Sequence, residues 1–105
     1  MAEAWTRVCG VHDIVEGGAS RVQLDGQPAM AVYKIAGRIY VTADRCTHAG
    51  ASLSSGVLSG DTIECPLHGC LFRVTTGEAL APPCVLALRT YQVEVEGGEV
   101  MVRVA

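Results

Sequence analysis

Two short segments, Cys46-Thr47-His48 and Cys65-Pro66-Leu67-His68, constrain this chain more than anything else in it. Sixteen residues separate His48 from Cys65, and the two pairs use two of the three histidines and two of the five cysteines. A lone Cys near a His would mean little. Two matched pairs, each in a loop that carries a glycine (Gly50, Gly69) and joined by a stretch able to form a hairpin, indicate a metal site. As structural core residues they are poorly explained, because a turn is an unfavourable place to bury four unliganded polar side chains. Any fold of this chain has to bring those two loops together.

The choice of metal turns on ligand number and spacing. Zinc takes two Cys and two His in many structural sites, usually with two or more residues between paired ligands, and is the first competitor. The tight Cys-x-His step suits it less well. A binuclear iron–sulfur centre suits the pairs better, since each loop offers one Cys and one His and each iron can draw a ligand from each loop.

The rest of the chain reads as a β scaffold. Its 105 residues suggest one domain, 1–105, with a modest core. Val is abundant and only five residues are aromatic. Arg21 to Leu24 and Ala29 to Ile35 flank Asp25-Gly26, a hairpin signal. Ala36-Gly37-Arg38 reverses the chain into Ile39 to Thr42. Tyr91, Val93 and Val95 alternate with Gln92, Glu94 and Glu96, and Gly97-Gly98 turns that strand into Val100 to Val104. His12 to Glu16 allows one helical turn with Asp13 as its cap. From Asp44 to about Thr76 the pattern loosens into loops, with one short strand pair, Val57-Leu58 and Thr62-Ile63. The expected architecture is all-β: an antiparallel, sandwich-like base carrying a loop-rich metal-binding subdomain at about 44–76.

The ligand pattern, extended by Gly69 and Phe72, resembles the Rieske signature. Nearly the whole chain resembles the Rieske ferredoxins of bacterial aromatic-ring-hydroxylating dioxygenase systems. The resemblance implies one [2Fe–2S] cluster, with Cys46 and Cys65 on one iron and His48 and His68, through Nδ1, on the other. It implies a single-electron carrier, with a flavin-dependent reductase as donor and a terminal oxygenase as acceptor. Two ferric ions, two sulfides and two thiolates sum to zero charge, so an added electron costs less than in a four-thiolate cluster, giving a potential within about −150 to +300 mV. Respiratory and photosynthetic members have a disulfide where Ala51 and Leu67 stand here, and Ser and Tyr hydroxyls where Cys70 and Phe72 stand. Fewer donors near the sulfurs place the expected potential at the low end. The Nε2 protons of His48 and His68 are expected to couple reduction to pH.

Absences narrow the function. With His48 and His68 used, only His12 remains, too few for a mononuclear iron held by two His and a carboxylate. No G-x-G-x-x-G fingerprint holds a flavin or nicotinamide. The chain is therefore read as a carrier and not an enzyme. The rivals are a Rieske-like small subunit of another oxidoreductase, such as nitrite reductase, and a zinc-stabilised interaction module.

The net charge is −3, with one lysine and seven arginines, which gives no reason to expect nucleic acid or an anionic membrane. No apolar run approaches the 18 or so residues of a membrane span. The start, Met1 to Trp5, has no secretory character, so a cytoplasmic protein is expected; an electron carrier of this size is expected to be a monomer. In that compartment five cysteines, an odd number, are expected to be ligands or buried thiols and not disulfides. Cys9 and Cys84 are read as ordinary buried thiols, and Cys70 as another with a competing role in tuning the cluster. His12 is read as a surface turn residue. Pro82-Pro83 is either a shielding loop or a plain rigid turn, and Asp44, Arg45, Glu64 and Arg73 are read as solvated.

Overall fold

The computed structural model describes residues 5–47, 50–67, 69–82 and 84–104. They form β1 (Trp5–Gly10), β2 (Ala19–Val22), β3 (Met30–Ile35), β4 (Arg38–Ala43), β5 (Val57–Ser59), β6 (Thr62–Glu64), β7 (Leu71–Arg73), β8 (Thr90–Glu96) and β9 (Glu99–Arg103). Short 3-10 turns lie at Val11–Asp13 and Leu53–Ser55. A six-stranded sheet has the order β1-β9-β8-β4-β3-β2, and a three-stranded sheet has the order β5-β6-β7. All pairings are antiparallel.

The larger sheet curls round its own core. Val8 and Cys9 of β1 pack in one cluster with Met30 and Val32 of β3, although several strands separate them in the sheet. A bulge between Arg7 and Cys9 gives β1 an extra residue there, and both Val8 and Cys9 are buried. The second cluster lies on the other side of β3. Ala31 and Tyr33 pack there with Leu53, Ile63, Phe72 and Val74 from the inserted sheet and its loops. Met30, Ala31, Val32 and Tyr33 are all fully buried, so β3 is the wall between two cores. That accounts for its unbroken apolar run, which suits a strand covered on both faces.

The turns follow local chemistry. Ala36 and Gly37 both have positive φ (51° and 77°), as the two-residue turn between β3 and β4 requires. The Glu16 carboxylate accepts both of their N–H groups at 2.8 Å. The Asp25-Gly26 hairpin is wider than its sequence suggests. The pairing closes at Val22 and Met30, and the turn sits inside a longer loop held by Gln23 Nε2 donating to the Gln27 carbonyl. Asp13 does not cap from the first position. The chain enters the 3-10 turn at Gly10, and Asp13 reaches back to accept the Gly10 N–H at 2.8 Å.

Candidate metal centre

Two loops share one pattern of backbone closure. In the first, the Cys46 N–H donates to the Ala51 carbonyl at 2.9 Å. In the second, the Cys65 N–H donates to the Cys70 carbonyl at 2.7 Å. Each loop thus opens on a cysteine and is closed by the carbonyl five residues on. Each has, just before that carbonyl, a glycine with positive φ, Gly50 at 71° and Gly69 at 68°. A side chain there would be strained, so these two glycines are the residues that let the loops turn tightly. The residues preceding the cysteines match as well: Arg45 lies against Gly50 and Glu64 against Gly69.

The supports beneath the loops differ. Asp44, which the sequence suggests is solvated, is buried, because its carboxylate is the anchor of the first loop. It accepts the Ser52 hydroxyl and the Ser54 N–H (2.9 Å), and Arg21 Nε lies 3.5 Å away. The Leu53 N–H donates to the Asp44 carbonyl at 2.7 Å. The second loop grows out of the β6–β7 pairing, where Ile63 faces Phe72, both fully buried. Gly56, between the two supports, lies so close to the Glu64 carbonyl that a Cβ would sit 1.9 Å from its oxygen. Arg73 is not simply solvated either, since its Nε lies 3.8 Å from Asp61.

These supports bring Cys46 and Cys65 together as buried free thiols. Burial pushes the Cys65 thiol up, the N–H of Leu67 pulls it down, and the neighbouring Cys46 sulfur raises it again. Two adjacent buried sulfurs, with burial and the neighbouring Cys46 both opposing ionisation of Cys65, suit a metal that takes both as thiolates. The donor set therefore fits a cluster ligated in part by sulfur. His48 and His68, the other two expected ligands, lie outside the described residues.

Residues 4–92 match the family model of the Rieske [2Fe–2S] domain. The chain is a Rieske protein. Ferredoxin CarAc of Metapseudomonas resinovorans is 45% identical over 102 residues, covering 97% of this chain and 95% of that protein. The ferredoxin component of a naphthalene 1,2-dioxygenase system from Pseudomonas aeruginosa is 41% identical over 102 residues, 97% of each chain. Among solved structures, a chain from the complex of reduced oxygenase and oxidised ferredoxin in carbazole 1,9a-dioxygenase superposes with a TM-score of 0.90. It is 44% identical and covers 97% of this chain and 94% of that one. The cofactor of the Rieske domain is a [2Fe–2S] cluster, and the all-β architecture agrees with that assignment.

One expectation about this Rieske chain is overturned. Cys70 and Cys84 are not separate thiols but a disulfide, with Cα atoms 5.6 Å apart, well within bridging range. The odd cysteine count misleads, because beside the free thiols Cys46 and Cys65 there remain one bridged pair and the single buried thiol Cys9 in β1. The Cys84 sulfur lies 3.8 Å from that of Cys46. Cys46, Cys70 and Cys84 thus form a close sulfur cluster, but in the bridged state only Cys46 of the three has a thiolate to give. Pro82 lies exposed in a turn two residues before Cys84, whereas Pro83 lies outside the described residues. His12 is exposed on the Val11–Asp13 turn, as expected.

Proposed function

We propose that this chain is the electron-carrying ferredoxin of an aromatic-ring-hydroxylating dioxygenase system, and is not itself an enzyme. The observation that carries the reading is the pair of like-built loops that place Cys46 and Cys65 side by side, buried and unbridged. Cys46 and Cys65 would hold one iron, and His48 and His68 the other. When bound, the cluster supplies a one-electron couple. The chain's own part is to bury the two sulfurs, close both loops with backbone hydrogen bonds and leave Leu67 exposed beside them. His12 is the one histidine left over, too few for a second iron site of the two-His, one-carboxylate kind.

The similar ferredoxins, one of them solved with its oxygenase, support a terminal Rieske oxygenase as electron acceptor. A flavin-dependent reductase is the proposed donor, and the cytoplasm the proposed compartment of a single-domain monomer with its cluster site in 44–76. No helix among the described residues is long and apolar enough to cross a membrane. Cys70, bridged to Cys84, has no S–H to donate towards the cluster, which supports a potential at the low end of the Rieske range of about −150 to +300 mV.

The deciding experiment is visible absorption and electron paramagnetic resonance of the purified protein before and after dithionite. The spectra are compared with those of Cys46→Ser and Cys65→Ser. A red-brown protein whose reduced form has an average g well below that of all-cysteine clusters, with the signal lost in both variants, is expected. A colourless protein holding one zinc would refute the carrier reading.

A further inference from the structure

The electron-carrier reading gives the Cys70–Cys84 bridge no part beyond withholding a donor. Its position suggests more. Cys70 ends the second loop, and its carbonyl closes that loop onto Cys65. Cys84 lies in the segment between β7 and β8, and its sulfur is 3.8 Å from Cys46 in the first loop. One covalent bond therefore ties the covering segment to one loop and rests it against the other.

The segment is otherwise held mainly at its ends. The Leu80 N–H donates to the Leu71 carbonyl and the Leu88 N–H to the Gly77 carbonyl, both at 2.8 Å. No side chain would fit at Gly77, since a Cβ on it would lie 2.3 Å from the Leu88 oxygen. Between those anchors Val85 is 81% exposed and Leu86 64%, so these side chains contribute little burial that would resist lifting. Among the described residues, the contacts that hold the middle down are the disulfide, the packing of Cys84 and a hydrogen bond from the Thr47 hydroxyl to the Leu86 carbonyl at 2.9 Å.

We propose that the Cys70–Cys84 disulfide is a redox-sensitive latch on the cover of the metal site, opened by a dithiol reductant. In the opening step the S–S bond breaks and each cysteine sulfur takes up one electron and one proton. The two thiols of the reductant lose those electrons and protons and become a disulfide. With the bond gone, Cys84 to Ala87 lift from Cys46 while the hydrogen bonds of Leu80 and Leu88 hold the two ends. The consequence for the metal rests on the reading that Cys46 and Cys65 are ligands; the latch itself does not.

The test uses the cluster-loaded protein with dithiothreitol as the dithiol. Peptide mapping after blocking free thiols is expected to find Cys70 linked to Cys84 before treatment and free after it. Hydrogen exchange at the amides of Cys84 to Ala87 is expected to quicken by about tenfold or more on reduction. Loss of iron to an external chelator should quicken with it. A variant carrying Cys70→Ala and Cys84→Ala should show the fast rates in both conditions, which separates latch opening from any direct action of dithiothreitol on iron. Absence of the cross-link, or exchange unchanged by reduction, overturns the latch. Faster exchange with unchanged iron loss overturns its control of the metal site. If Cys46→Ser protein keeps the exchange response while still binding a full cluster, the ligand assignment fails and the latch stands.

Discussion

Replacing Gly56 by alanine separates the loops' support from the proposed ligands themselves. Gly56 has an ordinary φ of −85°, so the change brings no backbone strain of the left-handed kind. Its whole cost is steric. A Cβ would lie 1.9 Å from the Glu64 oxygen and 3.1 Å from that of Leu53. About 1.5 Å of separation is then missing before ordinary contact with a backbone atom that no rotamer can move. Overpacking of this kind costs about 1–3 kcal/mol, and a carbonyl held in the β5–β6 pairing belongs at the upper end. About 3 kcal/mol is a large part of the roughly 5–15 kcal/mol that holds a domain folded, and corresponds to a fall of about 10–20 °C in melting temperature. Because Glu64 immediately precedes Cys65, relief of the clash moves the second loop away from the first, and cluster occupancy falls with stability. The assay is thermal unfolding together with iron and sulfide content per chain. Gly26→Ala is the control, since Gly26 has a positive φ with nothing near its missing Cβ. It should cost about 1 kcal/mol and leave iron content unchanged. A Gly56→Ala protein as stable and as fully loaded as the parent would show that β5 and β6 slide freely, and would refute the claim that this contact sets the spacing of the loops.

Other outcomes follow from the supports and the cores. Asp44→Ala removes the acceptor of the Ser52 hydroxyl and the Ser54 N–H and should destabilise by about 3 kcal/mol with reduced cluster loading, both measurable by urea unfolding and iron content. Burial pushes the Tyr33 phenol up to about 12, against the pull of its 2.9 Å hydrogen bond with Thr42. Below pH of about 10 the phenol is protonated in both states and its contribution is intact; as pH rises towards 12 the unfolded chain ionises first, and about 2–3 kcal/mol is lost. Urea midpoints at pH 9 and 11.5 should show that loss in the parent and a smaller one in Tyr33→Phe. Stripping the iron should lower the melting temperature, because the cluster binds only the folded loops, and an unchanged value would mean the loops are held by their own hydrogen bonds alone.

What could be read from the sequence was whatever is encoded locally. The alternation in β8, the Gly97-Gly98 and Ala36-Gly37 turns, and the hairpin of β5 and β6 depend on neighbouring residues, and the structure places them accordingly. The pairing of Cys46 with Cys65 was legible because the chemistry demands partners and the motif supplies them at fixed spacing. The short strand β7 was missed: three residues between a loop and a turn carry no period. The Cys70–Cys84 bridge was missed because it depends on the segment after β7 folding back over both loops, which neither cysteine's neighbours reveal. Asp44 was misjudged because a carboxylate beside an arginine looks like a surface pair, and its burial depends on Ser52 and Ser54 eight and ten residues on. Gly56 gave only an ambiguous signal, since a glycine in a loop reads as a turn as readily as a close approach between backbones, and nothing in its neighbours names Glu64 as the partner.

The strand shared between the two cores has a consequence for how the molecule comes apart. Met30 and Val32 belong to one cluster, Ala31 and Tyr33 to the other, and all four are fully buried. A slip of one residue along β4 would exchange the buried side chains of β3 between the two interiors, moving Tyr33 to the place of Val32 or Lys34 and taking its hydroxyl away from Thr42. Neither interior can melt without opening a flank of the other. The cover of the metal site can loosen by itself, but the floor beneath it can be lost only in the same cooperative event that unfolds the base.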